Sequence, residues 1–439
     1  MIKRHLSSAQ IIIFGFAGTI LLGTLLLMLP ISSASGRMTS FSDSIFTATS
    51  AVCVTGLVVR DTATYWSTFG QAVILGLIQI GGLGVVTVAV ATVLISGKKI
   101  GLMQRNTLKE AISAQKVGGI VRLTGFILKA TFLIELIGAG LLSIVFCRDF
   151  GPKGIWLGIF HSISAFCNAG FDLMGRVAPF SSLTSYAAQP IINITIVLLI
   201  IIGGIGFLVW EDIKTNKWRI RKYRMQSKVV LSVTAFLLVA PFIYFYFCEF
   251  NHLKGGERVY TSLFQTVTTR TAGFNTADFG KLSGTGKVIT VFLMLVGGSP
   301  GSTAGGMKTT TIAVLFFSAI SVFGKKDDVE CFNRRLAEET IKNAAAIFLM
   351  YLLLFMVGGI VIASVEGLPL SSCLFETASA IGTVGLSLGL TPSLGTLSRI
   401  ILIALMFFGR VGGLTVIFAA LSKTNKNLSK KPQEQITVG

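Results

Sequence analysis

Four short stretches of this chain, each of roughly 12 residues, close on a glycine motif and lie between apolar runs long enough to cross a bilayer. The motifs are VTGL (54–57), NAGF (168–171), TAGF (271–274) and TVGL (383–386). Their glycines, Gly56, Gly170, Gly273 and Gly385, are spaced by 114, 103 and 112 residues. Recurrence at nearly one period marks an internal repeat. The repeated unit is an outer apolar span, a short stretch and an inner apolar span. In the first unit these cover 11–29, 41–53 and 70–95; in the second, 124–146, 155–167 and 189–210. In the third they cover 229–248, 258–270 and 286–320; in the fourth, 343–364, 371–382 and 397–420. The units divide the chain at 1–97, 98–215, 216–325 and 326–439.

The chain is 52% hydrophobic and only 13% charged, against about 25% charged in a soluble domain. It therefore reads as an all-α integral membrane protein with eight transmembrane helices. The short stretches cannot span a membrane, which takes about 20 residues, so each enters and returns. Irregular backbone at membrane depth is tolerated only where protein buries it or it lines a watery cavity. Four re-entrant helices around one central pore follow. Each helix turns its C-terminal end, with about half a negative charge, toward a common point. Beyond it, glycine gives the backbone dihedrals that a side chain would resist. A ring of carbonyls can stand in for the water shell of a dehydrated cation. The candidate filter is Val54, Thr55 and Gly56; Asn168, Ala169 and Gly170; Thr271, Ala272 and Gly273; and Thr383, Val384 and Gly385.

A net charge of +19 invites a nucleic-acid partner, but its distribution argues otherwise. Of the 38 Lys and Arg, 24 fall in the N-terminus (Lys3, Arg4), in 96–123, 211–228 and 324–342, and in the C-terminal tail. That asymmetry follows the positive-inside rule and puts both termini in the cytoplasm. The apolar run from Ile11 to Leu29 reads as a retained first helix. The six cysteines have no metal-ligand spacing and read as small apolar packers. No HExxH or catalytic carboxylate pair supports catalysis, so neither an enzyme nor a cofactor is expected.

The third inner span is interrupted by VGGSPGSTAGGMKTT (296–310). Gly297, Gly298, Ser299, Pro300, Gly301, Gly305 and Gly306 break a helix, and Lys308 stands at the end. Met307 separates Gly306 from Lys308, so the stretch is not a phosphate loop. It reads as an intramembrane gate beneath the filter. Arg410 lies inside the fourth inner span, where a charge costs roughly 2.5–3.5 kcal/mol to insert and faces a watery cavity or the bundle interior. It is expected to set a barrier and hold the gate closed. QIGGLG (79–84) and IGGIGF (202–207) read as bends or packing points. Arg270 is expected to turn behind the filter toward Glu376, and Glu135 to bond between helices. Asp43, Asp61, Asp172 and Asp278 either concentrate cations at the mouth or are solvated loop acids.

TVGLS (383–387) resembles the TVGYG filter of potassium channels. With ATSAVCVTGL, SAFCNAGFD, TVTTRTAGFNT and ASAIGTVGLS, nearly the whole chain resembles the Trk/Ktr/HKT superfamily of potassium transporters. Among these it is most similar to the membrane subunit (KtrB) of a bacterial Ktr potassium uptake system. The resemblance implies a potassium-translocating subunit in the bacterial cell membrane, carrying potassium ion and no other cofactor. It also implies a homodimer on a cytosolic nucleotide-binding regulatory ring (KtrA-like), and a gating loop with an Arg facing it at 296–310 and 410. Gly56, where sodium-preferring plant members carry Ser, favours potassium. A sodium-coupled or sodium-permeable symporter of the same fold is the alternative.

Overall fold

The computed structural model describes residues 7–95, 101–112, 118–413 and 415–416. Lys3, Arg4, part of the basic segment 96–123 and the tail from 417 lie outside the described residues.

The chain is built from helices, with one two-stranded hairpin among the described residues, Glu330–Cys331 paired with Arg334–Arg335. Four outer helices are long and apolar enough to cross a membrane: Ser8–Met28, Ile120–Phe150, Met225–Glu249 and Glu338–Glu366. They leave large apolar side chains uncovered, among them Leu22, Leu25, Phe132, Leu136, Phe236 and Leu353. Such a surface suits lipid tails, because apolar atoms there displace no favourable water contact.

Inside this layer lie four short helices, Phe41–Val52, Lys153–Phe166, Gly255–Thr271 and Leu370–Gly382. Their starts carry ordinary signals. Ser40 caps the first, its hydroxyl accepting from the Asp43 amide at 3.1 Å, and Pro152 and Pro369 precede the second and fourth. Their buried hydroxyls turn back onto their own helix, as when Thr47 donates to Asp43 O and Thr266 to Ser262 O. That local pairing satisfies these hydroxyls, while those of Ser44, Thr49, Thr261 and Ser262 are buried without a hydrogen-bond partner among the described residues.

All four inner spans are interrupted. The first is Thr68–Leu83 followed by Val85–Val93, bent by 93°; the second is Pro190–Gly204 followed by Phe207–Asn216, bent by 94°. The fourth helix, Thr396–Val411, ends at Gly412. The hinge residues Gly84, Gly206 and Gly412 all have φ between 86° and 100°, a region closed to side chains at low cost. The third inner span is two helices, Gly284–Leu295 and Thr309–Phe323, with non-helical backbone between them. Of the bends or packing points expected at 79–84 and 202–207, both are bends, which make the spans 70–95 and 189–210 two helices each, and the break expected at 296–310 divides 286–320.

Candidate functional site

The four glycine motifs meet. A Cβ placed on Gly56 would lie 2.4 Å from the carbonyl oxygen of Ala169; on Gly170, 2.5 Å from that of Ala272. On Gly273 it would lie 2.3 Å from Val384 O, and on Gly385, 2.1 Å from Thr55 O. The contacts run from the first unit to the second, third and fourth and back to the first. They close a ring of four loops around one axis. Each glycine has φ between 69° and 93°, and each abuts the next loop's backbone, so a side chain is excluded on both counts. Val54, Asn168 and Thr383 are also left-handed, at 52°, 58° and 51°. Their counterpart Thr271 is still helical, because the third short helix runs to that residue.

Hydroxyls behind the ring brace it, and the motifs alone did not single them out. Ser50 accepts from Gly56 N at 3.1 Å and Ser379 from Gly385 N at 3.0 Å, while Ser164 donates to Phe171 O at 2.7 Å. All three stand six residues before their glycine, a register readable once the repeats are aligned. The third unit has Val267 there, and Thr268 donates to Phe274 O at 2.6 Å instead.

On one side the ring floors a vestibule of about 460 Å³. Asp61, Asp172 and Asp278 line it, with no Lys or Arg among the lining residues. Asp43 does not; it is buried and ion-paired with Arg60 and Arg399, each at 2.9 Å, which ties the first unit to the fourth. Burial, together with the neighbouring Asp61, pushes the Asp172 carboxyl up to about 6, although it accepts a bond from Met174 N.

On the other side lies the interruption of the third inner span. Gly297 N donates to Met307 O at 2.8 Å, and Ser299 N and Thr303 N donate to Gly204 O and Gly203 O. Gly306 N donates to Gly409 O at 3.1 Å. The loop thus fills the space under the ring by bonding to carbonyls freed at the neighbouring helix ends. Gly305 lies against Thr383, and Gly306 against Gly382 O. Lys308 donates to Ala304 O at 2.7 Å. Arg410 bridges Thr303 O and the helix-end carbonyls of Gly81 and Gly82. Both cations line a second cavity of about 290 Å³. Arg410 thus bonds both the loop and the carbonyls that end the first inner helix, and Lys308 stands at the end of the loop.

The structure corrects the Arg270 expectation. Arg270 reaches Gly297 O at 3.4 Å, not Glu376. Glu376 accepts instead from Ser387, Leu388 N and Thr391, bracing the loop beyond its own glycine. The short helix carrying Arg270 extends two residues beyond the turn that opens the first loop, which aims the guanidinium at the interrupted span. Glu135 does bond between helices, accepting from Gln79 at 3.1 Å.

Long apolar helices enclosing four backbone loops that meet in a ring, with acids on one side and cations on the other, define a multi-pass membrane protein. The chain belongs to the family of cation transport proteins whose TrkH profile matches residues 7–430. It is 43% identical to the potassium/sodium uptake protein NtpJ of Enterococcus hirae, over 100% of this chain and 98% of that one. It is 40% identical to the Ktr system potassium uptake protein B of Bacillus subtilis, over 98% and 96% of the two chains. The fold is similar to the crystal structure of the potassium transporter TrkH from Vibrio parahaemolyticus, with TM-score 0.72 and 20% identity over 95% of this chain and 86% of that one.

Proposed function

We propose that this chain is the potassium-translocating subunit of a bacterial uptake system. In this reading its eight spans and four re-entrant helices surround one pore in the cell membrane, with both termini in the cytoplasm. Potassium is the cargo, selected by the carbonyls of residues 54–56, 168–170, 271–273 and 383–385. The observation that carries the reading is the closure of the four-membered glycine–carbonyl ring, because such a ring can replace a cation's hydration shell. The 296–308 loop is the gate, and Arg410 and Lys308 hold it closed while raising a positive barrier below the filter. The Ktr-system names of relatives support a multicomponent assembly. We assign to it a homodimer docked through its basic segments on a cytosolic nucleotide-binding ring. A relative named for both potassium and sodium uptake supports a second reading, in which sodium also permeates or is coupled.

The test is rubidium-86 uptake into proteoliposomes driven by an outward potassium gradient, with external potassium or sodium as competitor. Potassium is expected to block far more strongly than sodium, and Gly273→Ser to narrow that difference severalfold. Equal block by sodium favours the second reading. No uptake even with 297–306 deleted overturns conduction.

A further inference from the structure

The side chain of Asn168 hydrogen-bonds to both the ring and the loop beneath it. Asn168, the first residue of the second glycine motif, is wholly buried. Its Oδ1 accepts from the Thr271 hydroxyl at 2.8 Å, at the matching position of the third motif. Its Nδ2 donates to Thr303 Oγ1 at 2.9 Å and to Phe166 O at 3.3 Å. Thr303, also buried, donates its own hydroxyl to Phe166 O at 2.9 Å. The carbonyl of Thr303 is one of those gripped by Arg410. An unbroken line of hydrogen bonds therefore runs from Thr271 through Asn168 to Thr303 and Arg410, crossing the second, third and fourth units.

This line spends every polar hydrogen and acceptor of the Asn168 amide on a neighbour in another segment or on Phe166, the end of its own helix. Asn tolerates its left-handed backbone (φ 58°) better than other side chains. Withdrawal of the loop takes away Thr303 and leaves a buried amide hydrogen without an acceptor. The amide must then turn, and a turn breaks its bond from Thr271 as well. Two of the four ring loops lose the side-chain bond that ties them to each other in one movement.

We propose that Asn168 is a positioning residue that makes the geometry of the ring depend on the position of the 296–308 loop, so that selectivity and opening are one coupled equilibrium. The proposal rests on the potassium-conducting reading above. It predicts that removing a hydroxyl in the loop changes which ion the ring prefers, although that hydroxyl touches no ion path carbonyl of the ring itself.

The test compares three substitutions in the rubidium assay, reading the ratio of sodium to potassium concentrations that give half block. Thr303→Val removes the acceptor and donor while keeping the branch, and is expected to lower the ratio at least about fivefold. Thr303→Ser keeps the hydroxyl and is expected to keep the ratio. Ser302→Ala removes a bond internal to the loop, to Ser299 O, and is expected to leave the ratio unchanged whatever it does to flux. Should Thr303→Val not assemble, Thr303→Ala removes the same hydroxyl. The gain in melting temperature from potassium chloride over sodium chloride supplies a reading on purified protein that needs no transport, and it is expected to shrink by at least half in either variant. A potassium-preferring unmodified protein whose preference survives loss of the Thr303 hydroxyl overturns the coupling alone. An unmodified protein with no preference for potassium overturns the conducting reading, and the coupling with it.

Discussion

The third unit and the other three follow one plan as far as the glycine ring and then part. In the first, second and fourth, the first glycine of the inner-span break buttresses the unit's own short helix. A Cβ on Gly81, Gly203 or Gly409 would fall 2.0–2.1 Å from Val52 O, Phe166 O or Ile381 O. Each of those helices ends a few residues before its ring glycine, and a Ser six residues before that glycine braces the turn. The first and second inner helices then bend at a single left-handed glycine and resume, and the fourth ends at one, Gly412. In the third unit the short helix runs on to Thr271, Val267 replaces the Ser, and the corresponding Gly297 meets Gly305 O of its own loop at 2.3 Å. Three units therefore hold the ring, and the third trades that bracing for a segment that lies under it. A fourfold repeat conserves the geometry of the ring; breaking the repeat in one unit supplies something movable.

The largest expected effect comes from testing that buttress directly. Gly81→Ala drives a methyl into backbone that cannot rotate away. Overpacking of this kind costs about 1–3 kcal/mol, and here we expect the upper end, with a fall of several degrees in the melting temperature and loss of rubidium uptake. Gly297→Ala collides only with the loop. It is expected to cost less than about 1 kcal/mol and to raise uptake. Equal loss of stability in both variants would erase the distinction between the units.

Much of this plan was legible in the sequence. Period and motif located all four ring glycines, and the density of Gly and Pro over 296–310 located the loop. Side-chain direction was not legible. Arg270 was assigned to Glu376 because both end up near the ring, but their directions depend on how far the third short helix continues, and no residue type reports that. Asp43 was grouped with the vestibule acids by its place in the chain, whereas Arg399, 356 residues away, claims it. The Asn168–Thr303 pair is likewise a contact across 135 residues that only packing reveals. The aligned breaks carry one further signal. Gly-Gly-x-Gly at 81–84 and 203–206 becomes Gly-Arg-x-Gly at 409–412, and the third unit has Gly297-Gly298 there, so Arg410 stands where the other three units have glycine.

That register supplies the next test. Arg410→Gly gives the fourth unit the pattern of the first two, removing a cation from the lower cavity and three bonds from loop and helix-end carbonyls. A unit charge several ångströms from a permeating cation, at an effective dielectric of about 20, contributes roughly 2–3 kcal/mol. Screening and the lost bracing pull in different directions, and we expect uptake to rise about tenfold. Arg410→Lys keeps the charge but cannot reach carbonyls on both sides as a planar guanidinium does. Its uptake should fall between the two if charge and bracing both act. Unchanged uptake in well-folded Arg410→Gly protein would remove Arg410 from the gate.

The smallest effect concerns the vestibule, where the units again contribute unequally, with carboxylates from the first three and Ser387 from the fourth. Asp172 lies in the loop beyond the second ring glycine, and its carboxyl is shifted up to about 6 by burial and by Asp61. The sign follows directly. Above that pH the carboxylate is charged and attracts cations; as pH falls through about 6 it takes up a proton and the attraction is lost. One carboxylate acting through a wet vestibule changes a cation's free energy by roughly half a kcal/mol, about a twofold change in affinity. The concentration of rubidium giving half-maximal uptake should therefore rise about twofold between pH 7.5 and 5.5, with the maximal rate nearly constant. Asp172→Asn should start at the higher value and lose most of the pH dependence. If the dependence persists in Asp172→Asn, the titrating group lies elsewhere, and the second unit's acid is a loop-bracing residue that accepts from Met174 N without acting on the ion.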